Sequence, residues 1–154
     1  MDLKENAAKG LARAFQIFRT DLEAIPEDAF GKKFGPSTRT IEDIVYEVNL
    51  VNDHTGMTMR GEKPFDWPEG DWILAPADFK GKEVVIAAFD KSCKRILETV
   101  ESFTPEQMEE TTQTEDGETT RFQGCQFLKL HAWYHSGQLN YIQTLLGDGA
   151  LHWE

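Results

Sequence analysis

Two histidines four residues apart, His131 and His135, stand in the stretch HAWYHSGQ, followed by Gly137 and Gln138. At about 100° per residue, Phe127, Leu128, His135, Gln138, Ile142, Leu145 and Leu146 fall within about 60° of His131 on a helical wheel. The pair is therefore expected in the middle of a core-facing stripe. Two neighbouring buried imidazoles each need partners, because uncompensated buried polar groups are costly. Hydrogen bonds from the core would meet that need. So would one divalent cation, since the i, i+4 rise of about 6 Å lets two ring nitrogens converge on bonds of roughly 2 Å. Gln138, one turn beyond His135, can orient a metal-bound histidine from behind, or bond a neighbouring helix.

The elements that must carry this pair follow from periodicity and breakers. Leu3, Ala7, Leu11, Ala14, Phe15, Phe18 and Leu22 recur at three- and four-residue steps and predict a first helix, which Pro26 ends. FGKKFGPS is a glycine- and proline-punctuated connection. Ser37 or Thr38 can cap a second helix, with Glu42 and Asp43 at its positive dipole end and Ile41, Ile44, Val45, Val48 and Val51 as its stripe. That helix is expected to run to about Arg60. Residues 61–79 hold three prolines and two tryptophans and read as a long loop, too apolar for disorder, lying across the other helices. A third helix is expected over 82–103, and TPEQM begins a short turn. TTQTEDGETTRF carries the Asp116–Gly117 dipeptide of a small hairpin or an extended loop. The last helix is expected over 124–146, with Gly147 as its C-cap.

Four helices of about 20 residues with a long second connection predict an all-α fold. It is a four-helix bundle with a long overhand crossover between helices 2 and 3, forming a single domain over 1–154. A chain of 154 residues with 40% hydrophobic and 28% charged residues is long enough for one real core. The net charge of −11 opposes a nucleic-acid partner or an anionic membrane surface. No stretch approaches the ~20 apolar residues of a membrane span, and MDLKENAAKG lacks the apolar core of a signal peptide. Cys93 and Cys125 show no CxxC spacing and read as buried, reduced thiols, so a cytoplasmic protein is expected.

His131, His135, Gly137 and Gln138, in the pattern H-x-x-x-H-x-G-Q on the last helix, resemble the DinB-like (DinB/YfiT-like) superfamily. The helix order, the long second connection and the Arg60-Gly61-Glu62 close of helix 2 strengthen the likeness, which spans nearly the whole chain. The resemblance implies an overhand four-helix bundle, frequently a homodimer, holding a divalent metal on three histidines, one on helix 2 and two on the last helix. Its characterised members include metal-dependent thiol transferases and a mycothiol-dependent isomerase. Zinc or nickel is the metal expected, and a low-molecular-weight thiol the substrate expected.

The helix-2 histidine of that pattern falls here on Glu47, and the histidine that helix 2 does carry, His54, comes seven residues later. Two turns separate them, about 10.5 Å along the axis. Glu47 with the pair would give a two-histidine, one-carboxylate site with open positions. His54 would instead keep three imidazoles, with the helices shifted by two turns. A chain that holds no metal is the third arrangement. Tyr134 and Tyr46 are candidate acids at the pocket mouth, or packing residues. His152 and Trp153 read as surface or dimer contacts. The functional readings are a metal-dependent transferase acting on a small thiol, or a hydrolase, and alternatively a non-catalytic stress-response or binding protein. An intact third ligand beside an open cleft favours the first.

Overall fold

The structure, a computed structural model, describes residues 1–114 and 117–153. Helix α1 spans Leu3–Ala24, α2 Ile41–Met59, α3 Lys82–Glu101 and α4 Arg121–Leu145. Single 3-10 turns lie at Glu27–Ala29 and Glu106–Glu109. A two-stranded antiparallel hairpin, β1 (Thr111–Thr114) and β2 (Gly117–Thr120), leads straight into α4. The hairpin expected from sequence is thus formed, although Asp116 of its expected Asp-Gly turn lies outside the described residues.

The helices pack as a ring, with α1 between α4 and α3, and α2 between the same two. Cross-helix bonds give their directions. Asn52 to Ser92, Asp53 to Arg95 and Thr99 to Arg60 run in step along α2 and α3, so these helices are parallel. Asn6 to Gln126 and Asp21 to Ser136 make α1 and α4 parallel as well. Parallel neighbours cannot be joined by a tight turn. The chain must travel back along the whole of α2, about 28 Å for 19 residues. Residues 60–81 do this, and the expected overhand crossover has that physical cause.

The crossover lies along the bundle through specific anchors. Ile73 is buried, the Ala75 amide donates to Asp43 Oδ1 at 2.8 Å, and Phe79 packs edge-on against Tyr46. The Gly81 amide donates to Glu42 Oε1 at 2.9 Å, which ties the start of α3 to the first turn of α2. The core is one cluster along all four helices, with Phe15 and Phe18 closing on Phe89 at ring separations of 6.0 and 4.7 Å. Between α2 and α3, a Cβ on Gly56 would stand 2.9 Å from Ile96 Cδ1, so any larger residue there requires the end of the Ile96 side chain to shift.

Two local expectations are corrected. The cap of α2 is Thr40, in a reciprocal capping box with Asp43, rather than Ser37 or Thr38. Thr38 instead closes a turn, accepting from Phe34 N and donating to Gly35 O. The buried face of α4 is also rotated from the one expected. It runs through Gly124, Cys125, Leu128, Ala132, His135, Ser136, Leu139, Ile142 and Gln143, so the expected Leu128, His135 and Ile142 are buried but the face is centred to one side of His131. Phe127 and Leu145 are 52% and 50% exposed. Ser136 and Gln143 face α1, where both bond Asp21, while Phe127 and Leu145 are left outside. The cap of α4, Thr120 with Gln123, is a second capping box, and Gly147 takes the positive φ of 90° that suits the residue after a helix end. Cys93 and Cys125 are free and buried. No helix among the described residues is long and apolar enough to cross a membrane.

Candidate metal centre

Helices α2 and α4 run antiparallel, and their register is legible where Gly124 faces Thr55 and Met59. Carrying that register back along the pair sets Glu47 opposite the histidines. The two capping boxes fix where each helix starts, while the packing of Gly124 on Thr55 and Met59 sets how the two helices align.

Among the described residues, Glu47, His131 and His135 form the group of ligating side chains close enough to hold one metal ion, with one donor atom each inside 4.8 Å. The Nε2 atoms of His131 and His135 are 3.1 Å apart. Glu47 Oε1 lies 3.5 Å from the first and 3.4 Å from the second. An ion bonded at about 2.1 Å with tetrahedral angles spaces its donors by about 3.4 Å. The three donors therefore already outline one face of such a coordination shell. The residues present fit a divalent transition ion, on donor chemistry and on spacing.

Each donor is held from behind. His135 is fully buried, and its Nδ1–H donates to Gln138 Oε1 at 2.7 Å, which leaves the Nε2 lone pair facing His131 and Glu47. Gln138 Nε2 donates in turn to the Tyr134 hydroxyl at 3.3 Å. Glu47 Oε2 accepts from Arg39, whose side chain is only 8% exposed, so Oε1 alone is presented to the imidazoles. Arg39 is pressed beneath Trp72 of the crossover, 4.6 Å from the ring centre. Phe127 stacks on His131 at 5.9 Å.

Electrostatics follow from these contacts. Burial alone would raise the Glu47 carboxyl, but the polar imidazoles of His131 and His135 close beside it and the Arg39 charge outweigh burial and hold Glu47 well below the usual carboxylate range. Burial pushes the His135 imidazole below its ordinary value, opposed by the nearby Glu47 carboxylate, which favours the protonated ring. An ionised carboxylate beside a neutral imidazole is the protonation state a metal requires.

The remaining expected residues lie elsewhere. His54 is not brought to the pair. Its ring sits edge-on to Phe65 and Trp67, at 5.3 and 5.6 Å, on the wall of a neighbouring cavity. The two-turn shift it needed is excluded by the register that puts Glu47 in place. Tyr46 is engaged by Phe79, while Tyr134 stands at the rim of the cluster. Trp153 is a correction. Its indole N–H donates to buried Asp21 at 2.9 Å and its ring packs on Trp133, so it closes the α1–α4 seam within one chain. His152 pairs with Asp148. Arg39 and Trp72 were not foreseen. Neither lies on a periodic stripe, and nothing local in the sequence marks an arginine before a helix cap as a partner of Glu47.

Comparison with known proteins agrees with this architecture. The sequence profile described as the DinB superfamily matches residues 10–139. The chain is similar to the crystal structure of a conserved protein from Enterococcus faecalis, with a TM-score of 0.72 at 16% identity, covering 96% of this chain and 99% of that one. At that identity the likeness shows the fold alone. No curated protein sequence matches.

Proposed function

The chain belongs to the DinB superfamily, and on that premise we propose that Glu47, His131 and His135 hold one divalent transition-metal ion, zinc or nickel, with which the protein transfers a small thiol. The observation that carries this is the triangle of Oε1 and two Nε2 atoms with sides of 3.1, 3.4 and 3.5 Å. When bound, such an ion lowers the pKa of a coordinated thiol or water and so supplies a nucleophile at neutral pH. Hydrolysis at the same place would use water instead. Gln138 holds the His135 proton on Nδ1, and Arg39 keeps Glu47 ionised and turned toward the imidazoles. The burial of His135 keeps bulk water from its Nε2. Two free, buried cysteines, of the kind a reducing compartment preserves, support a cytoplasmic location. A homodimer is supported by the uncharged exposed row of Leu130, Tyr134, Tyr141 and Leu145 on an otherwise acidic chain.

A second reading, a binding protein without metal chemistry, draws on the Arg39 bond, which already neutralises Glu47 without an ion. Elemental analysis separates the two. The purified protein is expected to carry close to one equivalent of divalent metal, lost in His135→Ala. Wild-type protein that stays metal-free after incubation with nickel and with zinc overturns the first reading.

A further inference from the structure

Beside the metal centre, and outside it, lies a cavity of about 680 Å³ bounded by the second half of α2, residues 63–66 of the crossover, the hairpin and the first two turns of α4. That volume lies within the range of sites for small organic ligands. Phe127 belongs to both places, since its ring stacks on His131 and also lines the cavity. A molecule held there would reach the centre by passing Phe127.

The hydrogen bonds of the lining decide what kind of molecule fits. Thr58 donates its hydroxyl proton to His54 O, Thr112 to Thr119 O, and Thr114 to Gly117 O. With their protons committed, these oxygens can only accept from a ligand. One N–H of the Gln113 amide is committed to Thr114 O, and its oxygen stands as a further acceptor. Among the described lining residues the carboxylates of Asp66 and Glu118 outnumber the single cation, Lys63. Phe65 and Phe127 add aromatic surface, which attracts cations as well as apolar bodies. The Gln123 amide nitrogen and Lys63 are donors on the same wall, so it is the aromatic surface and the excess of carboxylates over cations, with the threonine acceptors beside them, that favour a donor of positive charge.

We propose that this cavity binds a protonated organic amine with an apolar body, and that this amine is the body of the substrate presented to the metal centre. The second half of the proposal rests on the metal reading, whereas the binding itself does not. Calorimetric titration of the full chain with 2-phenylethylammonium, and with 3-phenylpropanoate as its anionic counterpart, tests it. The amine is expected to bind about tenfold or more tightly than the carboxylate. Glu118→Lys, at an exposed strand position, should weaken the amine about fivefold and narrow the preference. Thr58→Trp, which fills the cavity, should abolish binding; if it does not fold, Glu118→Lys decides alone. His135→Ala should bind the amine as wild type does. Equal affinity for the two probes, or an amine affinity indifferent to Glu118→Lys, overturns the proposal. A protein that selects the amine but takes up no metal loses the metal reading only, and one that takes up metal without selecting the amine loses this one only.

Discussion

Two carboxylates, Asp21 buried and Glu47 half-buried, meet α4 at consecutive residues, and they are built for different ends. Asp21 of α1 faces Ser136, and Glu47 of α2 faces His135. Asp21 is fully buried and receives the Ser136 hydroxyl and the Trp153 indole N–H, while its backbone carbonyl takes the Gln143 amide. Its partners are neutral donors, each spent on that one bond. Burial pushes the Asp21 carboxyl above its ordinary value, with the Ser136 bond pulling the other way. Glu47 instead has an arginine on one oxygen and, near the other, two imidazole nitrogens that converge on each other as well as on it. Neutral donors close a carboxylate into a strut. Convergent lone pairs leave a place where something can bind.

The strongest way to break this comparison is a pair of variants read in two assays. Glu47→Gln should lower metal affinity by about 100-fold or more, beyond the ten- to hundredfold typical of an outer hydrogen-bond partner; the lost ion pair with Arg39 also costs stability, so metal content is what separates this variant from the next. Asp21→Ala should leave metal content intact. It should lower stability by about 2–4 kcal/mol in chemical denaturation, because the Ser136 and Trp153 donors lose their acceptor in a dry setting. If both variants move both measurements together, the two carboxylates are not separable.

Gln138→Leu sharpens the Glu47 side. Without an acceptor for the His135 Nδ1–H, metal affinity should fall about tenfold, measured by competition with a chelating dye. An unchanged affinity would show that burial alone orients His135.

The smallest effect is on pH dependence in metal-free protein, where the two carboxylates should act with opposite sign. The folded-state pKa of Glu47 is depressed, so its contribution is present above the ordinary value of 4.5 and is lost as pH falls below it. That of Asp21 is raised, so its contribution is full below 3.8 and is lost as pH rises through the folded value. On going from pH 7 to 4, the stability gap between wild type and Glu47→Gln should shift against wild type. The gap between wild type and Asp21→Asn should shift in its favour. Denaturation curves at each pH measure both, and shifts of the same sign would contradict the assignment.

Much of this was legible in the chain. Apolar spacing placed all four helices within a few residues, because each must bury one face. The prolines and glycines of 61–79 marked the crossover. The i, i+4 histidines and Gln138 identified their own side of the site, since residues on one helix keep fixed relations to one another. The buried face of α4 was less legible. Summed hydrophobicity points toward Phe127 and Leu145, yet the bundle buries Ala132, Ser136 and Gln143, the last two because Asp21 of α1 supplies polar partners that a wheel cannot see.

By itself, then, the sequence determined the helices, their order, the long return that two parallel neighbours demand and two of three candidate ligands. Only the tertiary structure decided the third. Whether Glu47 or His54 meets the histidines depends on how far α2 slides along α4, and a two-turn slide leaves both helices intact. The register is set by contacts distant in sequence, Gly124 on Thr55 and Met59, together with Arg39, which holds Glu47 to the pair from outside the helix.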